Sequence, residues 1–280
     1  MGYKLGEIIF CLDNLTIGYP DQHDSSKTNI ILKDISLIEK DVITDNNEPM
    51  GQTIAFLGRS GRGKSTLFKV LTGLLKPTSG RALITDLRTV QTDDAKEIIE
   101  GDVGFVDQKY TLFRHKTIFQ ICMYALRKTK MSKAEKTELI NQYLNEWGLN
   151  EHRNKYSCEL SGGQRQRTAI IEQLLTSKHF MVFDEPFSGL DVGNIEKVKE
   201  SFDKILKTDT LNTIIFSTHD IRLAVELADS IYVIGHPEGV TDYSTILKHY
   251  DLKQMGLAWT PYGDGHRTVV SDIKNLLINS

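Results

Sequence analysis

The stretch Gly58-Arg59-Ser60-Gly61-Arg62-Gly63-Lys64-Ser65-Thr66 constrains this chain most, because it meets the phosphate-binding loop pattern G-x-x-x-x-G-K-[ST] at every fixed position. Its flanks agree. Thr53-Ile54-Ala55-Phe56-Leu57 is a short apolar run suited to a buried strand, and Ser65 to Leu71 resumes with helical spacing. Gly58, Gly61 and Gly63 have no Cβ to obstruct a backbone wrapped closely around an anion. The loop N–H groups and the start of the following helix then turn positive partial charge toward a phosphate. In this pattern Lys64 reaches the β- and γ-phosphates and the Ser65 hydroxyl holds Mg²⁺. The stretch reads as a nucleotide site.

At 280 residues the chain can form one large domain, or one domain with an appendage, around a substantial core. The net charge of −3 argues against a broad basic surface for nucleic acid. Cys11, Cys122 and Cys158 are few, odd in number and widely spaced, so neither a disulfide framework nor a zinc site is expected, and a reducing compartment is. The N-terminus lacks the features of a signal peptide, and no window approaches the ~20 apolar residues that cross a bilayer. Action at a membrane then requires another polypeptide to do the crossing.

Taken in order, Ile8–Tyr19 and Ile30–Ile38 alternate apolar and polar residues as half-buried antiparallel strands do, with a polar turn from Pro20 to Thr28 between them. Asp45–Pro49 reads as a second surface loop. After the loop helix, Lys76–Gly80 is a stop, and a strand is expected over Arg81–Thr85. Val103–Val106 is a short strand ending at Asp107-Gln108. The period then turns helical: Ile118, Phe119, Cys122, Met123 and Leu126 share one face, and Ser132-Lys133-Ala134-Glu135 has the form of a capping box opening a second helix. Residues from about 109 to 160 therefore form a helical insertion. Beyond it, strands at Phe180–Phe183, Thr213–Ser217 and Ser230–Ile234 alternate with helices near Gly162–Thr176, Gly193–Thr208 and Asp220–Ala228, the pattern of a parallel sheet. Tyr243–Tyr250 and Ser271–Ile278 are expected as short amphipathic helices, separated by the turn-rich Thr260–Gly265.

Two further stretches carry chemistry. The apolar strand Phe180–Phe183 ends in Asp184 and Glu185, at the strand end where open α/β sheets bind ligands. Asp184 can support Mg²⁺ directly or through water, and Glu185 is a candidate general base for an attacking water. Leu160-Ser161-Gly162-Gly163-Gln164 is the more specific signal: it resembles the signature motif of ATP-binding cassette proteins, Leu-Ser-Gly-Gly-Gln, at all five positions. Ser161 stands at a helix start, and the glycines leave backbone N–H groups open to an anion.

The resemblance runs from about Ile8 to Ile234 and assigns further roles. Tyr19 looks like the aromatic that stacks on adenine, and Gln108 like the glutamine that touches Mg²⁺ and water. Ser188-Gly189-Leu190-Asp191 resembles the loop crossing the dimer interface, which brings Asp191 to the nucleotide, and Ser217-Thr218-His219-Asp220 matches the segment whose histidine, here His219, contacts the γ-phosphate. The implied fold is an α/β phosphate-loop NTPase of the cassette type, with a mixed-sheet core, an antiparallel β subdomain and the inserted helical subdomain. The ATPase domain would span 1–235, followed by a C-terminal extension, 236–280, of no assigned role. Implied ligands are ATP and Mg²⁺. Implied partners are a second cassette subunit, identical or not, and a separate transmembrane permease, with no nucleic acid. The expected place is cytoplasmic, peripheral on the inner face of the membrane.

There are departures. Arg62 is bulky where small residues are frequent, and would either add a phosphate contact or project outward. Thr168–Gln173 lacks the Ala-Arg-Ala run of transport members, and the segment before Gly51 is longer than usual. Against the transporter reading stand a soluble cassette ATPase remodelling a nucleic-acid, ribosomal or protein complex, and a nucleotide-gated module with little turnover. The long coiled-coil arms or second cassette that members of the first kind carry are not seen in this sequence; the retained Glu185 and His219 argue against the second.

Overall fold

The computed structural model describes residues 2–21, 24, 27–85, 95–176 and 179–278. β1 (Tyr3–Pro20) and β2 (Thr28–Thr44) form a long antiparallel pair, each extending beyond the alternating segment that marks it in the sequence. The turn expected between Pro20 and Thr28 lies partly outside the described residues. β3 (Pro49–Met50) adds to β2, and β4 (Gln52–Leu57) leads through the glycine loop into α1 (Lys64–Leu71). β5 (Ser79–Thr85) returns to pair with β1, and β6 (Ala95–Glu97) pairs with β5. The result is an antiparallel sheet of order β3-β2-β1-β5-β6.

From β7 (Gly104–Val106) the chain enters the helical insertion, with α2 (Ile118–Ala125) and α3 (Lys133–Glu146). Both helices open on capping boxes, Thr117 with Gln120 and Ser132 with Glu135, which satisfy N-terminal amides that water would otherwise serve. α4 (Gly162–Thr176), β8 (Phe180–Phe183), α5 (Val192–Thr208), β9 (Thr213–Thr218), α6 (Ile221–Leu227) and β10 (Ser230–Gly235) then alternate. The core sheet runs β11-β10-β4-β9-β8-β7, with β11 (Thr245–Asp251) antiparallel at its edge and α7 (Asp264–Ile278) beyond.

Strands β4, β8, β9 and β10 are buried along their whole length, which explains why they read as continuous apolar runs and not as alternation. Their side chains divide between two cores. Ala55 and Leu57 face the helices of the insertion and the crossovers, while Ile54 and Phe56 face α1 and the antiparallel sheet. Eight residues are too few for a helix to persist alone. α1 is held by burial of Leu67, Phe68, Val70 and Leu71, each contributing about 1.5–3 kcal/mol, with Phe68 set edge-on to Phe56 at 5.8 Å.

The C-terminal segment departs from expectation. Tyr243–Tyr250 is not a helix: β11 occupies most of it, pairing Ser230 with Asp251 through to Gly235 with Thr245. The open edge of β10 supplies hydrogen-bond partners for the β-branched Thr245 and Ile246, and this tertiary offer outweighs the short helical pattern. α7 begins at Asp264, well before Ser271, because the buried His266 braces its start: Nδ1 accepts from the Gly263 amide at 3.1 Å and Nε2 donates to the Leu257 carbonyl at 3.1 Å. Val269, Ile273 and Leu277 then join the same core as β10 and β4.

Asp229 ties this segment to β4. Its carboxylate accepts from the Thr53 amide at 2.8 Å, its own amide donates to the Thr53 carbonyl at 2.7 Å, and its carbonyl accepts from Leu252. Burial pushes this carboxyl up to about 7 from 3.8. Between those values the folded state holds more proton than the unfolded chain, so stability falls as pH rises through the window. Asp229→Asn keeps an acceptor for Thr53 and removes the titration. Denaturant titrations at about pH 5 and about pH 8 should show the native chain losing stability relative to the variant, by on the order of 1 kcal/mol or more. A difference independent of pH would contradict this assignment.

Candidate functional site

The order β10-β4-β9-β8-β7 places the C-terminal ends of five parallel strands on one rim, with β9 between β4 and β8. The glycine loop after β4, His219 after β9, Glu185 after β8 and Gln108 after β7 therefore converge. They line one cleft of about 700 Å³ with Tyr19, Ile31, Arg59, Ser60, Gly61, Gly63, Lys64, Ser65, Thr66 and Ser188. Tyr19 comes from the antiparallel sheet, so both sheets contribute walls.

The three loop glycines do different work. Gly61 and Gly63 take φ of +81° and +88°, a left-handed course that disfavours other residues. Gly58 does not face the cleft; a Cβ there would lie 2.4 Å from the Ile234 carbonyl oxygen, so its role is close packing of β4 against β10. Gly63 caps α1 without any side-chain hydrogen bond, which leaves the first-turn amides for a ligand.

Lys64 is the centre of the cleft's electrostatics. Only 5% of its side chain is exposed, and its ammonium meets Glu185 Oε1 at 3.2 Å and the carbonyls of Gly58 and Arg59 at 2.7 and 3.1 Å. Glu185 Oε2 lies 2.9 Å from His219 Nδ1. Glu185 itself has φ +49°, a conformation that costs a residue with a Cβ about 1–3 kcal/mol. Ser217, inside β9, holds it there: its Oγ accepts from the Glu185 amide at 2.8 Å and donates to Asp184 Oδ1 at 2.7 Å. Ser217 was legible only as a neighbour of His219; nothing local in the sequence marks it as the clasp of the Asp184 carboxylate and the Glu185 backbone amide just past another strand.

The signature lies elsewhere. Ser161 caps α4, its Oγ accepting from the Gln164 amide at 3.3 Å while Gln164 Oε1 accepts from the Ser161 amide at 2.9 Å. Gly162 and Gly163 have open space where a Cβ would stand. Ser161, Gly162 and Gly163 open onto a second recess of about 580 Å³ that shares no lining residue with the first. Within one chain, then, the signature and the phosphate loop serve different clefts.

Several expected residues stand outside the first cleft. Gln164 is engaged in capping α4, and Asp191 caps α5, its carboxylate accepting from the Asn194 amide at 2.9 Å. Asp184 lies behind Glu185 on Ser217. Arg62 neither joins the cleft nor projects outward; its guanidinium contacts His236. Tyr110 turns inward: its hydroxyl donates to the Pro186 carbonyl at 3.3 Å, and burial pushes the phenol up to about 12. Phe113 is exposed, against Tyr124 at 5.2 Å.

Residues 46–188 match the family model described as ABC transporter. The chain belongs to the ABC transporter family. Over 220 residues the cassette is 35% identical to the sulfate/thiosulfate import ATP-binding protein of Synechocystis sp., covering 78% of this chain and 58% of that one, less than two thirds of its length. It is 36% identical over 182 residues to the arginine transport ATP-binding protein of Bacillus subtilis, covering 65% of this chain and 75% of that one. Among solved structures it resembles a dimeric ATP-binding cassette in a post-hydrolysis state bound to ADP and Pi, with a TM-score of 0.65, 26% identity, and 87% and 99% of the two chains covered. The structure of cbiO1 from Clostridium perfringens, part of the ABC transporter complex cbiONQ, shares the fold with a TM-score of 0.66, 24% identity and coverage of 90% and 92%.

Ser217→Ala should leave the cassette folded and lower ATP turnover roughly tenfold, ~1.4 kcal/mol in the barrier, because the Asp184 carboxylate and the Glu185 backbone both lose their anchor. Steady-state phosphate release measures it, and native turnover would remove Ser217 from the site.

Proposed function

We propose that this cassette hydrolyses ATP as one of two subunits and drives a separate membrane permease. The observation that carries the reading is the chain Lys64–Glu185–His219 across the cleft. A phosphate entering the loop competes with Glu185 for Lys64, since one ammonium cannot serve both at full strength. As Lys64 and the first-turn amides of α1 turn to the phosphate, Glu185 is freed to take the proton of an attacking water. Its left-handed backbone and the Ser217 clasp hold it in place meanwhile. His219, at hydrogen-bond distance from Glu185, is positioned to bond the γ-phosphate. The work is positioning and electrostatics more than covalent chemistry.

Among the described residues no cluster of His, Cys, Asp and Glu could hold a metal by itself. Ser65, Gln108 and Asp184 offer a sparse set of oxygen donors, which suits Mg²⁺ completed by phosphate oxygens and water. Bound there, the ion would neutralise charge on the phosphates.

Dimerisation follows from the two separate clefts. A second cassette that faces this one can set its Ser161-Gly162-Gly163 segment over the first cleft, giving two composite ATP sites per pair. In that arrangement the roles assigned to Gln164 and Asp191 belong across the interface. The permease would dock on the flank of the helical insertion. There Phe113 and Tyr124 are exposed, Lys116 and Arg127 lie over the Tyr124 ring, and a groove of about 360 Å³ runs between α1, β7, α2 and α4. No helix among the described residues is long and apolar enough to cross a membrane. The relatives' names differ in cargo, so none is assigned.

Glu185→Gln should abolish turnover and tighten ATP binding several-fold, because Lys64 loses its competing carboxylate. Lys64→Ala should weaken binding itself by tenfold or more. A mild-detergent pull-down of tagged Glu185→Gln protein with Mg-ATP from its own cells tests the partner: an integral membrane protein in comparable amount is expected. Steady hydrolysis in that variant would sink the catalytic role, and recovery of ribosomal or nucleic-acid partners alone would overturn the transport reading.

A further inference from the structure

The arginine inside the phosphate loop was expected to contact phosphate or project outward, and the segment after β10 had no assigned role; in the fold they meet. Arg62 stands between the two left-handed glycines, so its side chain leaves the loop where the backbone is freest to take another course. Its Nη1 donates to Nε2 of His236, the residue after β10. The other ring nitrogen of His236, Nδ1, donates to the Tyr243 carbonyl at 2.7 Å, which leaves Nε2 as the acceptor. The same segment grips the cleft wall. The Ser244 carbonyl accepts from the Lys33 amide at 3.0 Å, and the Ser244 amide donates to Ile31, which itself lines the cleft, at 2.9 Å. The loop is thus braced from residues that lie outside the 46–188 region matched by the family model.

This brace adds little to the stability of the fold. Arg62 Nε is buried without a partner, a desolvation cost that a small residue at this position would not carry. What the contact does set is the course of the loop between Gly61 and Gly63, and hence where its amides point.

We propose that His236 is a positioning residue for nucleotide binding, acting through Arg62 to hold the phosphate loop in its anion-accepting course. The inference rests on the ATPase reading of the cleft and adds to it a control point in the C-terminal segment.

The test is the Kd for Mg-ADP, measured by calorimetry on the full chain, which separates binding from turnover. His236→Phe, which removes the acceptor and keeps a ring, should weaken binding about tenfold. His236→Gln, which restores an acceptor oxygen, should recover affinity to within about threefold of native. Arg62→Ser should weaken binding by the same factor as His236→Phe, and the double variant should be no weaker than Arg62→Ser alone, because both changes break one contact. His236→Ala supplies the same cycle if phenylalanine is not accommodated. Native affinity in His236→Phe, an equal loss in His236→Gln, or losses that multiply in the double variant would each overturn the proposal. Native protein that fails to bind Mg-ADP would instead overturn the nucleotide reading beneath it.

Discussion

The ion pair between Lys64 and Glu185 is the interaction on which the rest of the site depends. Neither side chain is well exposed, at 5% and 18%, and a charge so far from water is strongly destabilising unless it is paired. The pair joins the residue that starts α1 to the second residue past β8, so β4 and β8 must sit close with their C-terminal ends on the same rim. A parallel sheet of order β4-β9-β8 provides this, and the strand between them brings His219 to the same place. Full burial of β4, β8 and β9 makes the arrangement rigid, because each strand is covered by helices on one face and by α1 and the antiparallel sheet on the other.

Rigidity is spent locally at Glu185. The backbone of Glu185, held at positive φ by a serine from the next strand, cannot shift toward Lys64 or away from it without breaking a hydrogen bond. The signature segment is built on the opposite principle: its glycines stand in open space, at a helix start capped by Ser161 and Gln164.

The C-terminal segment is part of this construction. β11 closes the edge of the core sheet beside β10, α7 adds Val269, Ile273 and Leu277 to the core, and Ser244 bonds to the strand that carries Ile31. Covering the β10 edge also removes an open row of amides and carbonyls that would otherwise invite another chain.

The sequence by itself determined the phosphate loop, the strand ends carrying Asp184, Glu185 and His219, and the capped starts of α3 and α4. These are short-range features: a few adjacent residues decide a turn, a cap or a buried apolar run. It also determined the family, through motifs in order along the chain. Tertiary structure alone decided that most of Tyr243–Tyr250 would pair as a strand, that Tyr110 would turn inward, and that Ser217 would clasp the Asp184 carboxylate and the Glu185 amide beyond a neighbouring strand. It alone set Arg62 against His236, 174 residues away. Each of these is settled by a partner distant in the chain, and local propensity is too weak to outweigh a hydrogen bond or a buried surface that only the complete fold supplies.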